Sequence, residues 1–157
     1  MEEILAGLYN RLANHIVSMI PEEWESVYYL GEIEKGKSSW SSTFYFRDPQ
    51  REEYIKSSSI PKVYQVPKNV YMTQWLQLNN IMLEIYNCFN TNGQPLWEQI
   101  CFAFDQAGKF QVDFHYDVMH ADDGGQLIRE LMWAQSAFGY EPTESEKKIL
   151  DRHFAEG

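Results

Sequence analysis

Leu5, Leu8, Leu12, Ile16 and Met19 recur at spacings of three and four, which is the period of one face of an α-helix. They predict an amphipathic helix over residues 3–20, stopped by Pro21. Two strand-like runs follow, over about residues 26–34 and 39–47, joined by a turn at Lys35-Gly36-Lys37. Alternation puts Trp40, Phe44 and Phe46 on one face of the second run. Three prolines and a serine run over residues 48–68 read as a loop, with one short strand near Tyr54. The most regular stripe is Tyr71, Trp75, Leu78, Met82, Ile85 and Phe89, which predicts a helix over residues 69–90 that packs on a sheet. Asn92-Gly93 and Pro95 close it.

Residues 97–117 alternate most clearly. Ile100, Phe102 and Phe104 share a face, as do Phe110, Val112, Phe114 and Tyr116, with Asp105-Gln106-Ala107-Gly108 as the turn. The opposite face of the second strand carries Lys109, Gln111, Asp113, His115 and Asp117, so a half-solvated antiparallel sheet is expected. Leu127, Leu131, Ala134 and Phe138 predict a helix over residues 126–138 that ends at Gly139. Thr143 and Glu146 form a capping box for a last helix whose apolar side is Ile149, Leu150 and Phe154. This order predicts an α+β fold, an antiparallel sheet of hairpins with helices packed mainly on one face. The length and the absence of any linker or repeat predict one domain over residues 1–157.

Charge changes the picture more than composition does. The net charge is −10, and residues 84–146 hold 11 acids against 2 bases. Residues 35–83 run the other way, with 3 acids against 7 bases. A chain this acidic is unsuited to phosphate backbones and is repelled by anionic membrane surfaces, so neither nucleic acid nor membrane is an expected partner. It is instead drawn to basic proteins. Met1-Glu2-Glu3 lacks the basic start of a signal peptide, and no apolar stretch is long enough to span a bilayer, so a cytoplasmic location is expected. Cys88 and Cys101 have no basic neighbour in sequence and read as packed thiols. The chain is therefore expected to fold without a disulfide, metal or cofactor.

Candidate chemistry is sparse. There is no glycine-rich phosphate loop, nucleophile elbow or CxxC pair. His115, Asp117, His120 and Asp122 are the residue types that ligate zinc or manganese, and a small metal-dependent hydrolase is the one enzymatic alternative they offer. His15 and His153 fall inside predicted helices and read as partly buried helix residues. The alternation from Phe110 to Tyr116 forces Gln111, Asp113, His115 and Asp117 away from the core, and Asp122 and Asp123 continue that acidic stretch. These six residues are the expected partner-binding surface. One or two of the five tryptophans are expected to be exposed anchors.

Several segments together resemble the YezG-like immunity proteins. They are Leu8-Tyr9-Asn10 and the run Met19-Ile20-Pro21-Glu22-Glu23-Trp24-Glu25-Ser26-Val27-Tyr28, then Ile60-Pro61 with Tyr64, and Pro95-Leu96-Trp97. The hairpin Gly108-Lys109-Phe110-Gln111-Val112-Asp113-Phe114-His115-Tyr116-Asp117 follows, then Phe138-Gly139 and Pro142. The resemblance covers nearly the whole chain, with the Met-Ile-Pro-x-x-Trp opening and this hairpin as its specific parts. It implies a cytoplasmic antitoxin that binds the nuclease domain of a toxin with an LXG-type export domain, secreted by a type VII route. It also implies no catalytic residues. The serine- and base-rich segment from Gly36 to Ser59 departs from the family pattern, which leaves the particular toxin open.

Overall fold

The run from Ser26 to Ile33 is mostly apolar, as befits a strand largely buried on both faces, and it forms the central strand of the sheet. In the computed structural model, which describes residues 1–156 and leaves aside the side chains of Lys37 and Glu156, contacts group into two compact units, Met1–Val118 and Met119–Gly157. The first unit runs α1 (Glu2–Met19), β1 (Ser26–Ile33), β2 (Trp40–Arg47), β3 (Tyr54–Lys56), α2 (Ile60–Tyr64), α3 (Lys68–Thr91), β4 (Gln99–Asp105) and β5 (Phe110–His115). The second holds α4 (Gln126–Phe138) and α5 (Glu144–Glu156).

The five strands pair antiparallel in the order β3-β2-β1-β4-β5. The expected α+β class and antiparallel sheet are thus present. Register sets the two faces. Val27, Tyr29 and Ile33 of β1 join Phe44 and Phe46 of β2 and Ile100 and Phe102 of β4 in one core with Leu8, Leu12 and Ile16 of α1 and Leu78, Met82 and Ile85 of α3. Gly31 makes this packing possible, because a Cβ there would run into Met82 Sδ and come within 2.9 Å of Ile100 Cγ2. Two polar contacts fix α3: His15 Nε2 donates to the Gln74 carbonyl at 2.7 Å, and Trp75 Nε1 donates to the Ser42 carbonyl at 2.8 Å. His15 is therefore a helix-packing residue, as its position suggested.

Several sequence expectations need correction. Residues 48–68 contain β3 but also a 3-10 turn at Ser57–Ser59 that leads into α2, because Pro61 sits in the first turn of that helix, where its missing N–H costs nothing. The Lys35–Lys37 link is itself a 3-10 turn. Trp40 shares the parity of Phe44 and Phe46 but lies at the strand end and is exposed. The second face of the sheet is not simply half-solvated. Its centre, Leu30, Tyr45, Glu32 and Gln99, is buried, and only the β5 margin is open.

In the second unit, Ile128 rather than Leu127 joins Leu131, with Ala134 buried on the same helix. On α5 only Leu150 of the three apolar residues is buried, while Ile149 and Phe154 are exposed. The capping box is formed as expected: the Thr143 amide donates to Glu146 Oε1 at 2.9 Å, and the Glu146 amide donates to Thr143 Oγ1 at 3.2 Å.

Candidate functional site

β5 is the last strand of the sheet, so it brings its side chains to an open margin. Asp105 and Gly108 build the turn before it. The Gly108 amide donates to the Asp105 carbonyl at 3.1 Å, the Lys109 amide donates to Asp105 Oδ1 at 3.1 Å, and Gly108 takes φ +85°, which glycine adopts without strain. From this turn, alternation sends Gln111, Asp113 and His115 to one face, and all three are exposed. Gln111 Nε2 donates to Asp113 Oδ2 at 2.8 Å, which ties the two side chains into one acidic surface element.

Across the ladder, His115 pairs with Gln99 and Asp113 with Cys101. Gln99 Nε2 in turn donates to Glu32 Oε2 at 2.7 Å, and Glu32 is only 3% exposed. A polar row thus runs from the exposed His115 to a buried carboxylate on the central strand. Burial, together with the charges of Asp113 and Glu32, pushes the Cys101 thiol up to about 12, so it stays protonated at neutral pH and is a poor nucleophile. Both cysteines are free thiols.

The six residues expected to face a partner separate into three environments. Gln111, Asp113 and His115 form the open face just described. Asp117 is exposed but engaged: Lys35 Nζ lies 2.6 Å from its Oδ1, and its backbone takes φ +53°. That hydrogen bond and the carboxylate charge hold the lysine above its usual value. Asp122 and Asp123 belong to the second unit. Asp122 is exposed, but Asp123 turns inward. Its Oδ1 accepts the Gly125 amide at 2.7 Å, and its Oδ2 accepts the His120 amide and Arg129 Nη1, each at 2.9 Å. Asp123 is a loop clamp with a side chain 15% exposed, not a member of a free acidic stripe.

The metal-hydrolase alternative finds no assembled ligand set. His115 and Asp117 belong to the first unit and His120 and Asp122 to the second. Among the described residues no three histidine, cysteine, aspartate or glutamate side chains gather as metal ligands. His153 packs on the loop at Gly124, where a Cβ would meet its ring at 2.7 Å.

Two features escaped the sequence reading. One is the buried polar row through Glu32, whose only sign was a single charge inside the apolar run from Val27 to Ile33. The other is an apolar groove of about 550 Å³ beside the β4–β5 hairpin, lined by Leu5, Ala6 and Tyr9 of α1, Phe102 and Phe104 of β4, and Phe110. Phe110, expected in the core, is 64% exposed at the mouth of this groove.

Residues 5–150 match the family described as immunity protein YezG-like. The chain is 30% identical over 138 residues to Immunity protein YezG of Bacillus spizizenii, covering 88% of this chain and 84% of that one. It is 27% identical over 144 residues to Immunity protein YezG of Bacillus subtilis, covering 92% and 94%. It is 31% identical over 148 residues to the type VII secretion system protein EsaG of Staphylococcus aureus, covering 94% and 89%. Among the described residues no helix is long and apolar enough to cross a membrane. The expected resemblance holds over most of the sequence, its relatives are named for immunity and secretion rather than for catalysis, and the chain belongs to the YezG-like family of immunity proteins, which are not enzymes.

Proposed function

We propose that this chain is a cytoplasmic antitoxin that stoichiometrically neutralises a nuclease toxin made by the same cell, carrying an LXG-type export domain and leaving by the type VII route. The observation that carries this reading is the immunity-family match over residues 5–150. The likeness to a protein named for type VII secretion adds the export route. Charge supplies the physical rationale. Nucleases hold nucleic acid on basic surfaces, and a chain with a net charge of −10 is attracted to such surfaces where phosphate would be.

Gln111, Asp113 and His115 are the proposed contact residues, with Asp117 and Asp122 as exposed acids nearby in sequence. The test begins with the toxin that co-purifies with this chain from the producing cell. Its nuclease domain is titrated with the chain, and cleavage should stop at a fixed molar ratio. Asp113→Lys, checked by melting to be folded, should weaken inhibition at least about tenfold, the scale of one lost charge-assisted contact. Asp113 is the residue to reverse, because a lysine at Asp117 would crowd a second ammonium group against Lys35. Undiminished inhibition by Asp113→Lys would remove the β5 face from the interface. Failure of the parent chain to inhibit would overturn the nuclease reading itself.

A further inference from the structure

We propose that the free edge of β5 accepts a β-strand of the toxin, one that alternates apolar and basic side chains. This inference rests on the antitoxin reading and specifies how the partner is held. Its starting point is the backbone. The Asp105 amide donates to the Lys109 carbonyl at 3.1 Å, so those two residues form a hydrogen-bonded pair of the ladder. Such pairs alternate along antiparallel strands. With the observed register, Gln111, Asp113 and His115 turn their backbone groups toward β4. Phe110, Val112 and Phe114 turn theirs outward, and among the described residues no further strand pairs beyond β5. An outward row of donors and acceptors is a template for one more strand.

The two faces of that edge differ in chemistry, and the difference defines the guest. On the helix side the edge borders the apolar groove between α1 and the hairpin, with Phe110 at its mouth. The charged groups that line this groove are Glu2 and Asp105, both acidic. On the other side the edge shows Gln111, Asp113 and His115. A strand added beside β5 sends alternate side chains to these two faces. The complementary sequence therefore has apolar residues at every second position, to fill the groove, and lysine or arginine between them, opposite Asp113. A second copy of this chain fits less well, since it would bring two molecules of net charge −10 together.

The test uses the purified, catalytically inactivated nuclease domain of the co-purifying toxin. Val112→Pro removes one outward N–H and leaves the β4 ladder intact, because proline is tolerated on an edge strand where its nitrogen faces solvent. Ala6→Arg, at an exposed helical position, puts a bulky positive group into the groove. Each variant should keep the parent melting temperature within a few degrees and lose toxin affinity at least about tenfold. Met72→Arg, at an exposed position on α3, should bind as the parent does. Amide exchange at Phe110, Val112 and Phe114 should slow when the toxin domain is added. Parent-like binding by Ala6→Arg, or unchanged exchange at those three amides in a complex that does form, overturns the edge-strand proposal while the antitoxin reading stands. Sedimentation showing that the chain alone is a dimer broken by Val112→Pro also overturns it, because the edge is then occupied by a second copy. A parent chain that leaves the nuclease active overturns both.

Discussion

At the scale of single residues, Asp123 shows how a carboxylate can be conspicuous in sequence and unavailable in structure. Burial opposes its ionisation, but the amides of Gly125 and His120 and the Arg129 guanidinium outweigh that effect and hold its carboxyl below the ordinary aspartate value. The folded state therefore binds a proton here less readily than the unfolded chain does. The stability gained is complete above the ordinary value of about 4 and is lost as pH falls through it toward the lowered native value. Asp123→Asn should lower the melting temperature at pH 7 by the loss of roughly 1–3 kcal/mol of charge-assisted bonding. The difference from the parent should shrink as the buffer is taken below pH 4. Melting both proteins across that range checks the sign: a gap that widens in acid would mean the carboxyl is not held ionised. Asp113 and His115 lie on a strand, whose alternation fixes the face they take, whereas Asp123 lies in a loop, which is why alternation located them and not the loop residue.

At the scale of elements, the close approach of α3 to β1 depends on one missing side chain. Gly31→Ala must displace Met82 or Ile100 in a filled core, and overpacking of this kind costs about 1–3 kcal/mol. Denaturant unfolding should show that loss. If Gly31→Ala is instead as stable as the parent, α3 can shift and the packing is looser than the distances indicate. The elements with strong periodicity were legible from sequence alone. α1, α3, both hairpins and the capped start of α5 follow directly from spacing and turn chemistry, because a 3.6-residue or 2-residue repeat leaves few alternatives. The misread elements are those where the pattern is short or two-sided. α2 is only five residues long and carries a proline in its first turn, so local composition spoke for a loop. β1 and β2 bury both faces near their centres, so alternation in β5 could not reveal how much of the second face is closed. Of the candidate surface, Gln111, Asp113 and His115 were legible as an outward row. The groove was not, since it is made by α1 meeting a hairpin about a hundred residues away in sequence.

At the scale of the whole molecule, charge is the property most open to measurement. An excess of ten negative charges should accelerate encounter with a basic nuclease. The association rate should fall about tenfold or more as salt rises from about 0.01 M, where the screening length is near 30 Å, to 0.15 M, where it is near 8 Å. Stopped-flow mixing at several salt concentrations measures this. A flat rate would show that steering contributes nothing, whatever holds the finished complex. The strand order has a different consequence, for the nascent chain. β1 pairs on one side with β2, which follows at once, and on the other with β4, which begins only at Gln99. While the ribosome makes the intervening residues, one flank of the central strand has no neighbour. The first hairpin can close locally, but the other flank of β1 is covered only after residue 105 has emerged, so a chain released early would present an apolar, sticky edge and be prone to aggregate.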